Sequence, residues 1–336
     1  DWPLPGASTR TLYLGDGALS GAPAPGEGHD DLAYLATVGM ATPANCMGGR
    51  GPGMQPTDQR SDEAYSLVYT TPPLQDDLEL IGYPLAVLHV SATAEVAFFS
   101  VKLSDVAPDG AATFVSRGVL NATRRDSLRD PRPLVPGQVY ELRIELDCCA
   151  WVFAAGHRLR LAIAGSDWPN LWPSPLPSTH SVYRGAARPS RLELPVAPPA
   201  TLPAPVFAPP TELITLAPRE SSGGTLTVTE NFHEQTVTVQ RLGATVRSTL
   251  PHDETVLIEH DSAHVTASRT DPARVAAHGA SAYTLRTIGG ETHVEASASI
   301  TSDRTAYHVV VTLAITVDGA TQTQRRWTRT VPRKML

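Results

Sequence analysis

Lysine is almost missing from this chain: of 27 basic residues among 336, only Lys102 and Lys334 are lysines. With 34 acidic residues the formal net charge is −7, so no basic stripe is available to neutralise phosphates, and nucleic acid is not an expected partner. Long apolar runs are missing too. None approaches the roughly 18 residues that a membrane-crossing helix needs, and the N-terminus carries neither the basic nor the apolar block of a signal peptide. No membrane partner is expected, and a chain that is cytoplasmic or otherwise soluble, of bacterial type, is. The three cysteines, Cys46, Cys148 and Cys149, are too few for a disulfide framework and are expected to be buried thiols, the adjacent pair pointing to opposite faces of any strand that holds them.

Stretches rich in Ala, Leu, Glu and Lys at helical period are few, whereas Gly and Pro total 55 residues. What the chain has in quantity is period-two alternation, which in a strand sends one set of side chains to a buried face. Tyr140, Leu142, Ile144 and Leu146 alternate with Glu141, Arg143, Glu145 and Asp147; residues 157–165 do the same, and 85–90 and 101–106 read as further strands. Asp109-Gly110, Pro136-Gly137 and Ala155-Gly156 sit between such runs at turn positions. Seven of the sixteen residues 195–210 are proline, which denies donors to a sheet ladder and marks a linker over 197–210. Beyond it Thr, Val and His dominate, with Gly289-Gly290 and Asp318-Gly319 as hairpin turns, the second joining 308–317 to 320–329. One helix is expected, over 271–278, opened by Asp271-Pro272 and stopped by Gly279. The expected fold is all-β: a sandwich or jelly roll over 1–196, then a smaller antiparallel β domain over 211–336.

Catalytic motifs are hard to find. No Gly-x-Ser-x-Gly elbow, Gly-x-Gly-x-x-Gly loop or P-loop occurs, and Gly48-Gly49-Arg50-Gly51-Pro52-Gly53 has no strand before it or helix after it. No cofactor is expected. His260 and His264 have a metal-like spacing, but a bend at 261–263 is the preferred reading. Asn121-Ala122-Thr123 fits a glycosylation sequon and reads as a chance match. Trp151, Trp168 and Trp172 could form a sugar-stacking platform, with core packing the favoured alternative.

A resemblance enters through an ordered series of motifs. It opens with Leu67-Val68-Tyr69-Thr70-Thr71-Pro72-Pro73-Leu74 and continues with Lys102-Leu103-Ser104-Asp105-Val106, Pro108-Asp109-Gly110 and Gly118-Val119-Leu120. Then come Gly156-His157-Arg158-Leu159-Arg160-Leu161, Ser166-Asp167-Trp168-Pro169, His180 and Pro189-Ser190. Upstream, Trp2-Pro3-Leu4-Pro5-Gly6 and Asp58-Gln59-Arg60 fit the same pattern. These residues resemble the C-terminal, non-catalytic region of the Xaa-Pro dipeptidyl-peptidase and cocaine-esterase (CocE/NonD) serine hydrolases. The resemblance implies a jelly-roll (galactose-binding-like) sandwich that follows an α/β-hydrolase domain, which would be the partner. It supplies no triad residue to this chain. Residues 211–336, ending in Trp327 and Val331-Pro332-Arg333, resemble the extra β domain of some bacterial members.

In that family, loops of the jelly roll close over the catalytic domain, which makes residues 37–60 the candidate contact. Their Met40, Met47 and Met54 would offer an adaptable apolar surface, joined by Trp168 and Trp172 of the Trp-Pro-Asn-Leu-Trp-Pro segment. Such a patch could also drive homo-oligomer formation. The alternative function is a carbohydrate- or partner-binding β-sandwich, and the third is a structural module.

Overall fold

The computed structural model describes residues 4–40, 58–198, 206–209, 219–250 and 255–336. The chain falls into two compact units, Asp1–Thr201 with Met335–Leu336, and Leu202–Lys334. Strands make up 57% of the structure and helix 2%, so the protein is all-β as the alternation predicts.

The first unit begins with β1 (Ser8–Leu14), β2 (Leu19–Ser20) and β3 (Gly28–Ala33), followed by the single-turn α1 (Arg60–Glu63). Next come β4 (Leu67–Thr70), β5 (Leu78–Gly82), β6 (Leu85–Ala92), β7 (Phe98–Val106) and β8 (Ala112–Asn121). It closes with β9 (Tyr140–Glu145), β10 (Cys149–Phe153), β11 (Arg158–Ala164), β12 (Thr179–Arg184) and β13 (Arg191–Val196). Nine strands form one antiparallel sheet, with β10-β5-β13-β6-β12-β3 as its path, β1 and β2 beyond β13, and β9 on β6. The other sheet runs β4-β11-β7-β8. The expected alternation sets the inner faces: Leu88, Val90, Leu142, Ile144, Leu192 and Leu194 of the large sheet meet Phe99, Val101, Leu103, Leu159, Leu161 and Ile163 of the small one in a single buried cluster.

The second unit is built differently. Its strands are β14 (Arg219–Ser222), β15 (Thr225–Asn231), β16 (Thr236–Leu242), β17 (Thr245–Thr249), β18 (Val256–Ser268), β19 (Val275–Thr287), β20 (Gly290–Ser302), β21 (Ala306–Val317) and β22 (Ala320–Pro332). All lie in one antiparallel sheet, with β18 to β22 paired in chain order. Asp318 (φ 48°) and Gly319 (φ 76°) make the left-handed turn expected between β21 and β22. Among the described residues, its buried apolar side chains are Val237, Val239, Ala267, Ala273, Val275 and Ala306, too few to form a core like that of the sandwich.

The structure corrects two sequence expectations here. Residues 271–278 are not a helix: Arg274 donates to the Asp271 carbonyl at 3.0 Å to close a turn, and β19 starts at Val275. From there on the backbone pairs with β18 on one side and β20 on the other, which an isolated two-turn helix cannot match. Nor do residues 261–263 bend, since β18 runs unbroken from Val256 to Ser268.

Candidate interdomain surface

The outward face of the small sheet is charged and yet buried. Alternation along β7 turns Ser100, Lys102 and Ser104 away from the core; β8 adds Arg117 beside Lys102, and β11 adds Arg160 beside Ser104. Each cation meets a carboxylate from a covering segment. Lys102 Nζ lies 2.6 Å from Asp62 Oδ2, Arg160 Nη1 2.8 Å from Glu63 Oε2, and Arg117 Nη1 2.6 Å from Asp167 Oδ2. Charges out of water must be paired and hydrogen-bonded, so the three pairs lock the covering segments to three adjacent strands.

Two of the carboxylates come from α1. Asp58 starts that turn, accepting from the Arg60 backbone N–H at 3.1 Å and from Arg60 Nε, and the turn then aims Asp62 and Glu63 at the sheet. Hydrogen bonding to Arg60 holds the Asp58 carboxyl below its ordinary pKa.

Asp167 belongs to the segment after β11, which packs against residues 34–40. Ser166 Oγ donates to the Ala36 carbonyl at 2.9 Å, the Trp168 N–H to the Val38 carbonyl at 2.8 Å, and Tyr34 OH to the Ser174 carbonyl at 3.1 Å. Gly39, at φ +127°, sits so close that a Cβ there would fall 2.5 Å from the Asp167 carbonyl carbon and the Trp168 nitrogen. Beneath this corner His180 is buried between the Tyr34 ring, 5.6 Å away and stacked, and the Phe99 ring at 4.9 Å. Its Nδ1 has no hydrogen-bond partner, and burial pushes its pKa down to about 4, so the ring is neutral.

The five candidate contact residues fare unequally. Met40 follows directly on Gly39 and is half-buried, and Trp172 is half-buried. Trp168 is 1% exposed and belongs to the interior of its own unit, so it offers no ring to a partner, and a platform of Trp151, Trp168 and Trp172 does not form. Met47 and Met54 lie outside the described residues. The charged ladder escaped the sequence reading because each pair joins residues 40 to 97 positions apart; the one available signal was a lysine inside a strand of a chain that has only two.

Other sequence candidates resolve plainly. Asn121 is buried and its Oδ1 accepts from the Thr123 N–H and hydroxyl, so the sequon serves as a turn cap. Cys148 is exposed, not buried, because it precedes the edge strand β10; Cys149 is half-buried, and burial pushes its thiol up to about 11. His260 and His264 share a face of β18, as residues four apart do in a strand, and the His264 ring packs on His278 at 5.2 Å. No group of three His, Cys, Asp or Glu side chains fit for a metal occurs among the described residues. A cavity of about 640 Å³ lies on this face, floored by the short side chains of Ser262, Ala280, Ala282, Ser297 and Ala314 and flanked by His260 and Arg326.

Residues 1–193 match the family of the X-Pro dipeptidyl-peptidase C-terminal non-catalytic domain. The chain belongs to that family. A Mycobacterium bovis protein named as a serine esterase is 31% identical over 218 residues, covering 58% of this chain and 34% of the relative. The cocaine esterase of a Rhodococcus strain is 29% identical over 226 residues, covering 58% of this chain and 39% of that enzyme. Among solved structures, an aminopeptidase from a Thaumarchaeota archaeon superposes with a TM-score of 0.53 at 25% identity, covering 59% of this chain and 38% of that one. The chain thus spans little more than a third of the length of these relatives, and this domain is the non-catalytic part of CocE/NonD and dipeptidyl-peptidase type hydrolases. No helix among the described residues is long and apolar enough to cross a membrane.

Proposed function

We propose that this chain packs on an α/β-hydrolase domain of the serine dipeptidyl-peptidase or acyl-esterase type and shapes the entrance of its active site. The observation that carries the reading is the charged ladder. The described residues on both sides of 41–57, namely 36–40 and 58–63, are fastened to one sheet face, the first through Asp167 and Arg117 and the second through Asp62 with Lys102 and Glu63 with Arg160. Buried ion pairs of this kind suit a rigid mount for a contact segment better than they suit general stability, because hydrophobic replacement stabilises as well or better. The burial of Trp168 weighs against the carbohydrate-binding alternative, which needs an exposed aromatic platform.

The reading frame upstream of Asp1 tests the parentage: a Gly-x-Ser-x-Gly elbow followed by Asp and His supports it, and a frame without them refutes it. In the resulting longer polypeptide, replacing Met40, Met47 and Met54 together by Ser should raise KM for ester or Xaa-Pro anilide substrates with little change in kcat. Unchanged kinetics would refute the shaping role.

A further inference from the structure

Directly paired residues of an antiparallel sheet share a face, and in the second unit the face that holds the polar cavity carries His260, His264, His278, His293 and His308. Three of these rings are engaged. His293 meets Glu295 at 3.1 Å and Thr284 at 2.8 Å, His308 meets Asp303 at 2.8 Å, and His260 lies 3.5 Å from the Thr245 hydroxyl. His264 of β18 and His278 of β19 differ. They stand directly opposite each other, and neither ring has a hydrogen-bond or ion-pair partner among the described residues. His264 is exposed and His278 half-buried, so solvent reaches the pair. The same row continues with neutral oxygen donors on both sides, the Gln240 carboxamide opposite His264 on β16 and the Ser299 hydroxyl opposite His278 on β20. Across these four strands the rows above and below consist of Ser, Thr, Ala and Leu, with no arginine or lysine to repel a cation.

We propose that His264 and His278 bind one divalent transition-metal ion between β18 and β19, each ring giving one nitrogen and water filling the remaining positions. The two ring centres are 5.2 Å apart with their planes tilted by 33°. A tetrahedral ion at the usual zinc–nitrogen distance of about 2.0–2.1 Å holds two imidazole centres roughly 5 Å apart, so the pair already has the spacing of a shared ion. Imidazole nitrogens select zinc, copper or nickel, whereas calcium and magnesium favour all-oxygen sites rich in carboxylate, and this row has no carboxylate. The bound ion ties together two inner strands of a sheet that buries few apolar side chains. It does so only in the native register, because a slip of one residue sends one ring to the opposite face. The unfolded chain does not hold the two rings together, so binding adds directly to the stability of the fold.

The test uses the full chain with Cys46, Cys148 and Cys149 replaced by Ser, so that no thiolate takes the metal. Calorimetric titration with zinc chloride at neutral pH should show a saturable site that excess magnesium leaves unchanged. His264→Gln and His278→Gln should each weaken it by about tenfold or more, the scale on which even a ligand's hydrogen-bond partner matters, and the double variant should be no weaker than either, because each loss breaks the same chelate. His260→Gln, on the same face but away from the pair, should bind zinc as the starting chain does. Zinc should also raise the melting midpoint of the starting chain, and EDTA should reverse the rise, a readout that needs no histidine variant. An absence of saturable zinc binding, an unmoved midpoint, binding that survives His264→Gln, or binding that His260→Gln weakens as much, overturns the proposal.

Discussion

Lys102 Nζ and Asp62 Oδ2 meet at 2.6 Å where both side chains are at most 5% exposed. A pair so placed is asymmetric in its response to mutation. Lys102→Met leaves a carboxylate without its cation inside the protein and should lower stability by about 3–5 kcal/mol, whereas Lys102→Met with Asp62→Leu should recover most of it. Urea unfolding of the two variants decides this; equal losses would show that the pair, as a pair, does not fasten α1.

His180 makes stability depend on pH. Its folded pKa of about 4 lies below the 6.5 of an unfolded histidine, so the unfolded chain binds the extra proton between those values. Stability should therefore fall as pH drops from about 6.5 towards 4, with a slope of up to about 1.4 kcal/mol per pH unit from this group alone. Comparing the pH profile of the midpoint with that of His180→Phe isolates the effect, and an unchanged profile would contradict the neutral buried ring.

Gly39→Ala adds a methyl group where backbone atoms already stand 2.5 Å away, at a φ that L residues avoid. The corner between 34–40 and 165–171 has to open, and a loss of at least about 2 kcal/mol is expected. Gly110→Ala, also at positive φ but with open space around it, is the control and should cost less than half as much in the same thermal melt.

The chain by itself should not hydrolyse p-nitrophenyl acetate or a Xaa-Pro anilide above background, since nucleophile, base and oxyanion donors have to converge in one site and no nucleophile elbow occurs in its sequence. Turnover that a serine-directed reagent abolishes would overturn that expectation; a reagent-insensitive trace traceable to Cys148 would not.

The strands were legible because burial on one face writes itself into the sequence at period two. Leu142 and Ile144 of β9 and Leu159, Leu161 and Ile163 of β11 announce their faces without help from the rest of the chain. Residues 271–278 misled for the opposite reason: Asp-Pro at the start and Gly at the end are local signals, while the two flanking strands that claim the segment lie far along the chain. Trp168 misled because a proline-rich, aromatic stretch looks like surface until its covering segment is known. Beyond the lone strand lysine, Lys102, the ion pairs left no mark in the sequence, since charge at an outward strand position reads as solvent contact, and only the tertiary arrangement shows that Asp62, Glu63 and Asp167 shut the water out.

The first described strand of the sandwich pairs with its last: Ser8 stands opposite Val196 and Leu12 opposite Leu192, and among the described residues the other strand beside β1 is the two-residue β2. On a ribosome adding roughly 5–20 residues per second, β1 waits on the order of 10–40 s for its partner to emerge. During that interval Leu12 and Leu14 lack the long strand they pair with in the finished sandwich, so the sheet closes only once β13 has emerged, and a nascent chain stalled before β13 carries an open edge that a chaperone can hold.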